Sequence, residues 1–143
     1  MAKKAAIVRI ALGVLVLALV PTAFAAKGGN GPKSNTPAPT GNLSLVLLSS
    51  TDGQAHWGQQ ITFNVTTTAT YPFVRVDCSQ NGTLVYEQSE GFYSSWPVDM
   101  RNFTLKSAAW TGGAANCTAL LYSTNWDGSN FQSLATVPFD VAA

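Results

Sequence analysis

The chain has 143 residues, eight Lys or Arg against seven Asp or Glu, and 46% apolar residues. That length makes one domain at most. With only 10% charged residues, it lacks the clustered Lys and Arg that nucleic acid or an anionic membrane surface would require.

Lys3, Lys4 and Arg9 give the first nine residues a positive end with no acid, and an uncharged apolar run follows over residues 10–20. Pro21 then breaks the run just before Ala23 and Ala25, small residues at alternate positions. Positive end, apolar middle and small residues are the three parts of a secretory signal, and they predict cleavage after Ala25. An uncleaved anchor is the competing reading, but spanning a bilayer takes about 20 apolar residues and this run is much shorter. Contact with a membrane is therefore expected only during export, or if the signal stays uncut. Cleavage removes three of the eight basic residues and none of the acids, leaving five against seven and a net charge of 5 − 7 = −2.

Residues 26–42 are rich in Gly, Pro, Ser, Thr and Asn, with two Ala and no larger apolar residue. Such a segment cannot bury enough surface to offset the entropy of ordering it. It reads as a disordered linker or tail, or as a stalk if the signal is retained.

From residue 43 the chain alternates with period two between turn residues, which predicts a domain over 43–143. Residues 43–49 form a first apolar strand, ended by Asp52-Gly53. Over 60–67, Ile61, Phe63 and Val65 share one face. Over 73–80, Val74, Val76 and Cys78 point inward while Arg75 and Asp77 point outward. Asn81-Gly82 is a strong hairpin signal because both residues tolerate positive φ, and 83–90 returns as the partner strand. Residues 91–100 read as an irregular aromatic crossing or a short strand. Strands are expected at 102–106, with Phe103 and Leu105 inward, at 114–124, and at 131–141, with Val137, Phe139 and Val141 inward. Seven or eight short strands without a helix predict an all-β fold, a two-sheet antiparallel sandwich.

Cys78 and Cys117 are the only cysteines, and in an exported chain they are expected to pair. Cys78 shares its face with Val74 and Val76, and Cys117 shares its face with Ala115, Ala119 and Leu121, so both sulfurs point at the core. Closing that loop is worth about 4 kcal/mol on the chain-entropy account.

Strand count, the Asn81-Gly82 hairpin and the inward Cys pair together resemble the immunoglobulin-like and fibronectin-III-like sandwiches over residues 43–141. Two features depart from the antibody pattern: no Trp follows Cys78 on the next strand, and Ala115 stands where a tyrosine corner needs Tyr. Cys78 also falls on the third strand, so the bridge is expected to join neighbouring strands of one sheet. The resemblance is architectural and carries no function with it.

No catalytic constellation emerges. His56 is the only histidine, in a turn before a strand, and no nucleophile motif accompanies it. The acids are scattered singly, and Glu87 and Glu90 face opposite ways on one strand, which does not suit paired-carboxylate chemistry. With one His and both Cys committed to a bridge, no metal site and no cofactor are expected. Asp127-Gly128 reads as turn chemistry. The five Asn-x-Ser/Thr sequons, at Asn42, Asn64, Asn81, Asn102 and Asn116, read as outward polar filling in a bacterial-looking exported chain.

The aromatic residues are more informative. Trp110, before a Gly-Gly turn, reads as a cap on the core. Trp126 sits among Asn125, Asp127 and Asn130, a loop composition that suits either capping or ligand contact, and Tyr93 and Trp96 add flat rings nearby in sequence. The expectation is therefore a secreted or surface-associated, non-catalytic interaction module for a protein or cell-envelope partner. The alternative is a carbohydrate-binding module using Trp126, Trp96 and Tyr93, with Asn125, Asp127 and Asn130 supplying hydrogen bonds.

Overall fold

The computed structural model describes residues 37–143. The signal, with Ala23 and Ala25, and the linker up to residue 36 lie outside the described residues.

Among the described residues there are eight strands: β1 (Gly41–Leu47), β2 (Ala55–His56), β3 (Gln60–Thr67), β4 (Pro72–Gln80), β5 (Thr83–Gly91), β6 (Phe103–Thr104), β7 (Ala115–Ser123) and β8 (Gln132–Ala142). They form two sheets, β1-β3-β6 and β2-β8-β7-β4-β5. The alternation seen in the sequence is the cause. On β3, Ile61 and Phe63 are buried while Asn64 is exposed. On β4 and β7, Val74, Val76, Cys78, Ala115, Cys117, Ala119 and Leu121 all face the core. Phe63 meets Phe103 and Phe139 edge-on, with centroids 5.5 and 6.4 Å away, tying the small sheet to the large one.

Asn81 and Gly82 turn the β4–β5 hairpin with φ of 51° and 80°, the conformation that a two-residue hairpin loop favours. Beyond it the register slips: Cys78 pairs with Tyr86 but Ser79 pairs with Leu84. The extra residue is Val85, which lets Val85 and Tyr86 both be buried although they are adjacent.

Cys78 and Cys117 are bonded. They are register partners on β4 and β7, with Cα atoms 4.0 Å apart, so the bridge lies within one sheet, as expected. A disulfide in this position implies that the domain matures in an oxidising compartment. Among the described residues no helix is long and apolar enough to cross a membrane.

Trp110 is wholly buried and closes one end of the core. Its indole N–H donates to the Gly113 carbonyl at 3.1 Å, and its own carbonyl accepts from the Trp57 indole at 3.0 Å.

Four details differ from the sequence reading. The turn containing His56 holds a two-residue strand, β2, which pairs with β8 in parallel; the sandwich is therefore not wholly antiparallel. The strand expected at 102–106 shortens to two residues, although Leu105 extends the contact by donating its N–H to the Gln59 carbonyl at 2.9 Å. The crossing at 91–100 leads into a 3-10 helix, Val98–Arg101. β1 starts at Gly41, inside the segment read as linker, because Gly41 already pairs with Thr67.

Candidate binding site

One end of the large sheet gathers aromatic side chains on its outer surface. Phe73 and Tyr122 are cross-strand partners on β4 and β7, and their rings stack at 5.5 Å. Phe131 stacks on the far side of Tyr122 at 5.0 Å. Tyr93 meets both Phe73 and Tyr71 edge-on, at 5.5 and 5.6 Å, and Trp96 meets Tyr93 at 5.6 Å. These rings lie against one another, Phe131 remaining 55% exposed at the end of the row, and the most exposed ring beside them is Trp126, at 88%.

Trp126 stands on an ordered loop. Asp127 accepts the Ser129 N–H at 3.0 Å and the Ser129 hydroxyl at 2.6 Å. Asn125 donates its backbone N–H to the Ser129 carbonyl at 2.8 Å and its side-chain amide to the Ser129 hydroxyl at 3.0 Å. The bonds from Ser129 hold the Asp127 carboxyl below its ordinary value. Asn130 adopts φ of 54°, and its side-chain amide oxygen accepts from the Gln132 side-chain amide at 3.4 Å. Fixing the loop beforehand lowers the entropy lost when Trp126 meets a ligand.

Between this loop and the aromatic row lies a pocket of about 300 Å³, lined by Tyr71, Phe73, Tyr93, Ser95, Asn125 and Trp126. On the other side of Trp126 a larger hollow of about 730 Å³ shares Tyr71, Asn125 and Trp126 and reaches residues 37–40. Trp126 thus divides two adjoining concavities, and neither has a charged side chain in its lining.

Three of the residues singled out in the sequence, Trp126, Tyr93 and Asn125, therefore converge on one pocket. Asp127 and Asn130 shape the loop and do not line it. Trp96 is half-buried and packs over Gly91: a Cβ at Gly91 would come within 2.7 Å of the Trp96 ring and 2.8 Å of Tyr93. Arg101 fixes the same segment by donating to the carbonyls of Tyr93 and Trp96 at 2.9 and 3.0 Å. Trp96 accordingly supports Tyr93 and is not presented beside Trp126 as a second flat platform.

Tyr71 and Phe73 were missed as lining residues. A signal for Phe73 existed: it shares the outward parity of Arg75 and Asp77, and a large apolar ring on an outward position is the informative anomaly.

His56 occupies a different place. Its Nε2 lies 2.8 Å from the Asp52 carboxylate, and its Nδ1 lies 3.4 Å from the Ala143 carbonyl. The hydrogen bond to Asp52 raises the His56 pKa above its ordinary value of 6.5, and the same bond holds Asp52 down at about 2. Both ring nitrogens thus face an oxygen, Nε2 closely and Nδ1 at the long limit of a hydrogen bond. Among the described residues no group of three His, Cys, Asp or Glu is placed to hold a metal ion.

Compared with known protein families, characterised proteins and solved structures, the chain matches none.

Proposed function

We propose that the protein is a secreted or surface-associated, non-catalytic binding module, and that it engages a protein or cell-envelope partner through the aromatic end of the large sheet. The observation that carries this reading is Trp126, held 88% exposed on a hydrogen-bonded loop between two uncharged hollows. An exposed Trp is costly to leave in water, and a buried Trp at an interface is the residue type most often found to dominate binding energy. The disulfide supports export, and so does the signal-like pattern of residues 1–25.

The test is retention of the wild-type protein and of Trp126→Ala on cell-envelope material from the organism that makes it. Loss of a hot-spot Trp costs about 2 kcal/mol or more, close to a 30-fold loss of affinity. Equal retention of the two proteins would overturn the assignment of the site.

A carbohydrate ligand is the second reading, and one observation favours it. The pocket of about 300 Å³ combines four aromatic rings with the Asn125 amide and the Ser95 hydroxyl, a lining suited to the apolar faces and hydroxyl edges of a sugar ring. Polysaccharide pull-down separates the readings: retention on an insoluble glycan that is lost with Trp126→Ala supports this one, and no retention on any glycan removes it.

A further inference from the structure

A second surface, away from the aromatic end, has the geometry of a strand acceptor. β3 pairs with β1 along its full length on one side, but β6 covers the other side only at Gln60 and Ile61. The direction of the main chain follows from two bonds. The Gln60 carbonyl accepts from Leu48 on the β1 side, and the Gln59 carbonyl accepts from Leu105 on the β6 side. Main-chain groups alternate along a strand, so Thr62, Asn64 and Thr66 point theirs at β1. Phe63 and Val65 point theirs at the side where, among the described residues, no strand lies.

The cause is local. Continuing the β6 register backwards would set Asn102 opposite Thr62 and Arg101 opposite Phe63. The chain instead departs into the 3-10 helix Val98–Arg101, and the Thr62 hydroxyl fixes the departure by donating to the Arg101 carbonyl at 2.8 Å. A groove of about 960 Å³ is left alongside the edge, with β3 on one side and Phe92, Val98, Asp99 and Arg101 on the other. Val98 is 73% exposed.

We propose that this groove accepts an extended peptide strand, which continues the line of β6 along β3. Its occupant is one extended chain because the edge offers N–H and C=O groups at two-residue spacing, which only another strand satisfies in series. The 3-10 helix residues Val98, Asp99 and Arg101 line the far side of the groove. Phe92 and Val98 set the side-chain pattern, apolar at alternate positions, while the intervening positions meet the Thr62, Asn64 and Thr66 face. The opposite charges of Asp99 and Arg101 give the groove no net preference for sign.

Val65→Pro isolates this mechanism. Its N–H faces the open edge and serves no bond to β1, so a Pro there is tolerated in the fold as edge-strand Pro is. Val65→Ala, which keeps the N–H while losing the same packing against the core, is the control. Asn64→Pro is the opposite case, because it removes an N–H from the β1 ladder and destabilises the domain. Random octapeptides displayed on phage are panned on the wild-type protein and counter-panned on Val65→Pro. The expected result is enrichment of alternating apolar sequences that bind Val65→Pro about tenfold more weakly, the effect of losing a hydrogen bond or two. The selected peptide also protects the Val65 amide from hydrogen exchange, and it loses affinity when its edge-facing nitrogens are methylated. No enrichment, equal binding to Val65→Pro, or a Val65 amide already protected in the free protein would each overturn the proposal. Trp126→Ala leaves this binding unchanged, so the two surfaces stand or fall separately.

Discussion

Replacing both cysteines, as Cys78→Ala/Cys117→Ala, should remove a large part of the domain's stability. The bridge closes 39 residues of chain, and on the loop-entropy account a closure of that size stabilises by about 4 kcal/mol. For a domain of roughly 100 residues, with an unfolding entropy of about 0.2 kcal/mol per kelvin, this is a fall in Tm of about 20 °C. Both side chains are also buried, at 0% and 3% exposure, so the Ala pair adds a small packing loss. Cys78→Ala/Cys117→Val restores most of the lost volume and separates the two effects. Urea unfolding of the three proteins gives the differences directly. If the bridge acts mainly on the unfolded chain, the variants fall together and differ from each other by about 1 kcal/mol or less. A loss of under about 1 kcal/mol for both would refute the reasoning and mean that the β4–β7 ladder alone fixes this part of the chain.

Trp110→Ala should cost about 3–5 kcal/mol, because it empties the end of the core and strands the Gly113 carbonyl; thermal or urea unfolding measures it. Gly91→Ala should displace Tyr93 and Trp96, whose rings would lie 2.8 and 2.7 Å from the new Cβ; it should lower Tm and weaken ligand binding at Trp126, and an unchanged Tm with unchanged binding would contradict the packing described. The His56 ring, followed by NMR, should titrate above 6.5, and Asp52→Asn should return it towards that value. For His56 the folded value is raised, so its contribution to stability is complete below 6.5 and is lost as pH rises through the raised value. For Asp52 the folded value is depressed to about 2 from 3.8, so its contribution is present above 3.8 and lost as pH falls towards 2.

The sheets were largely legible in the sequence because buried and exposed residues alternate cleanly on β3, β4 and β7, and because Asn81-Gly82 allows one kind of turn. β2 was not legible: two residues show no period, and its pairing with β8 joins segments distant in the chain. The shortening of β6 was hidden as well, since it depends on where Thr62 captures the Arg101 carbonyl. At the candidate site, Trp126, Tyr93 and Asn125 could be picked out by residue type and their polar loop surroundings. Their convergence with Tyr71 and Phe73 depends on the register that sets Phe73 beside Tyr122, which composition does not encode. The demotion of Trp96 to a supporting role rests on a single glycine, Gly91, whose missing side chain makes room for the indole.

The binding role is tested most directly by titrating cell-envelope material or a retained polysaccharide against wild-type protein and Trp126→Ala, with unfolding curves showing that both are folded alike. The account predicts about a 30-fold or greater loss of affinity for Trp126→Ala with an unchanged Tm, since the side chain it removes is 88% exposed. Equal affinity of the two proteins for a ligand that binds the wild type saturably would contradict it.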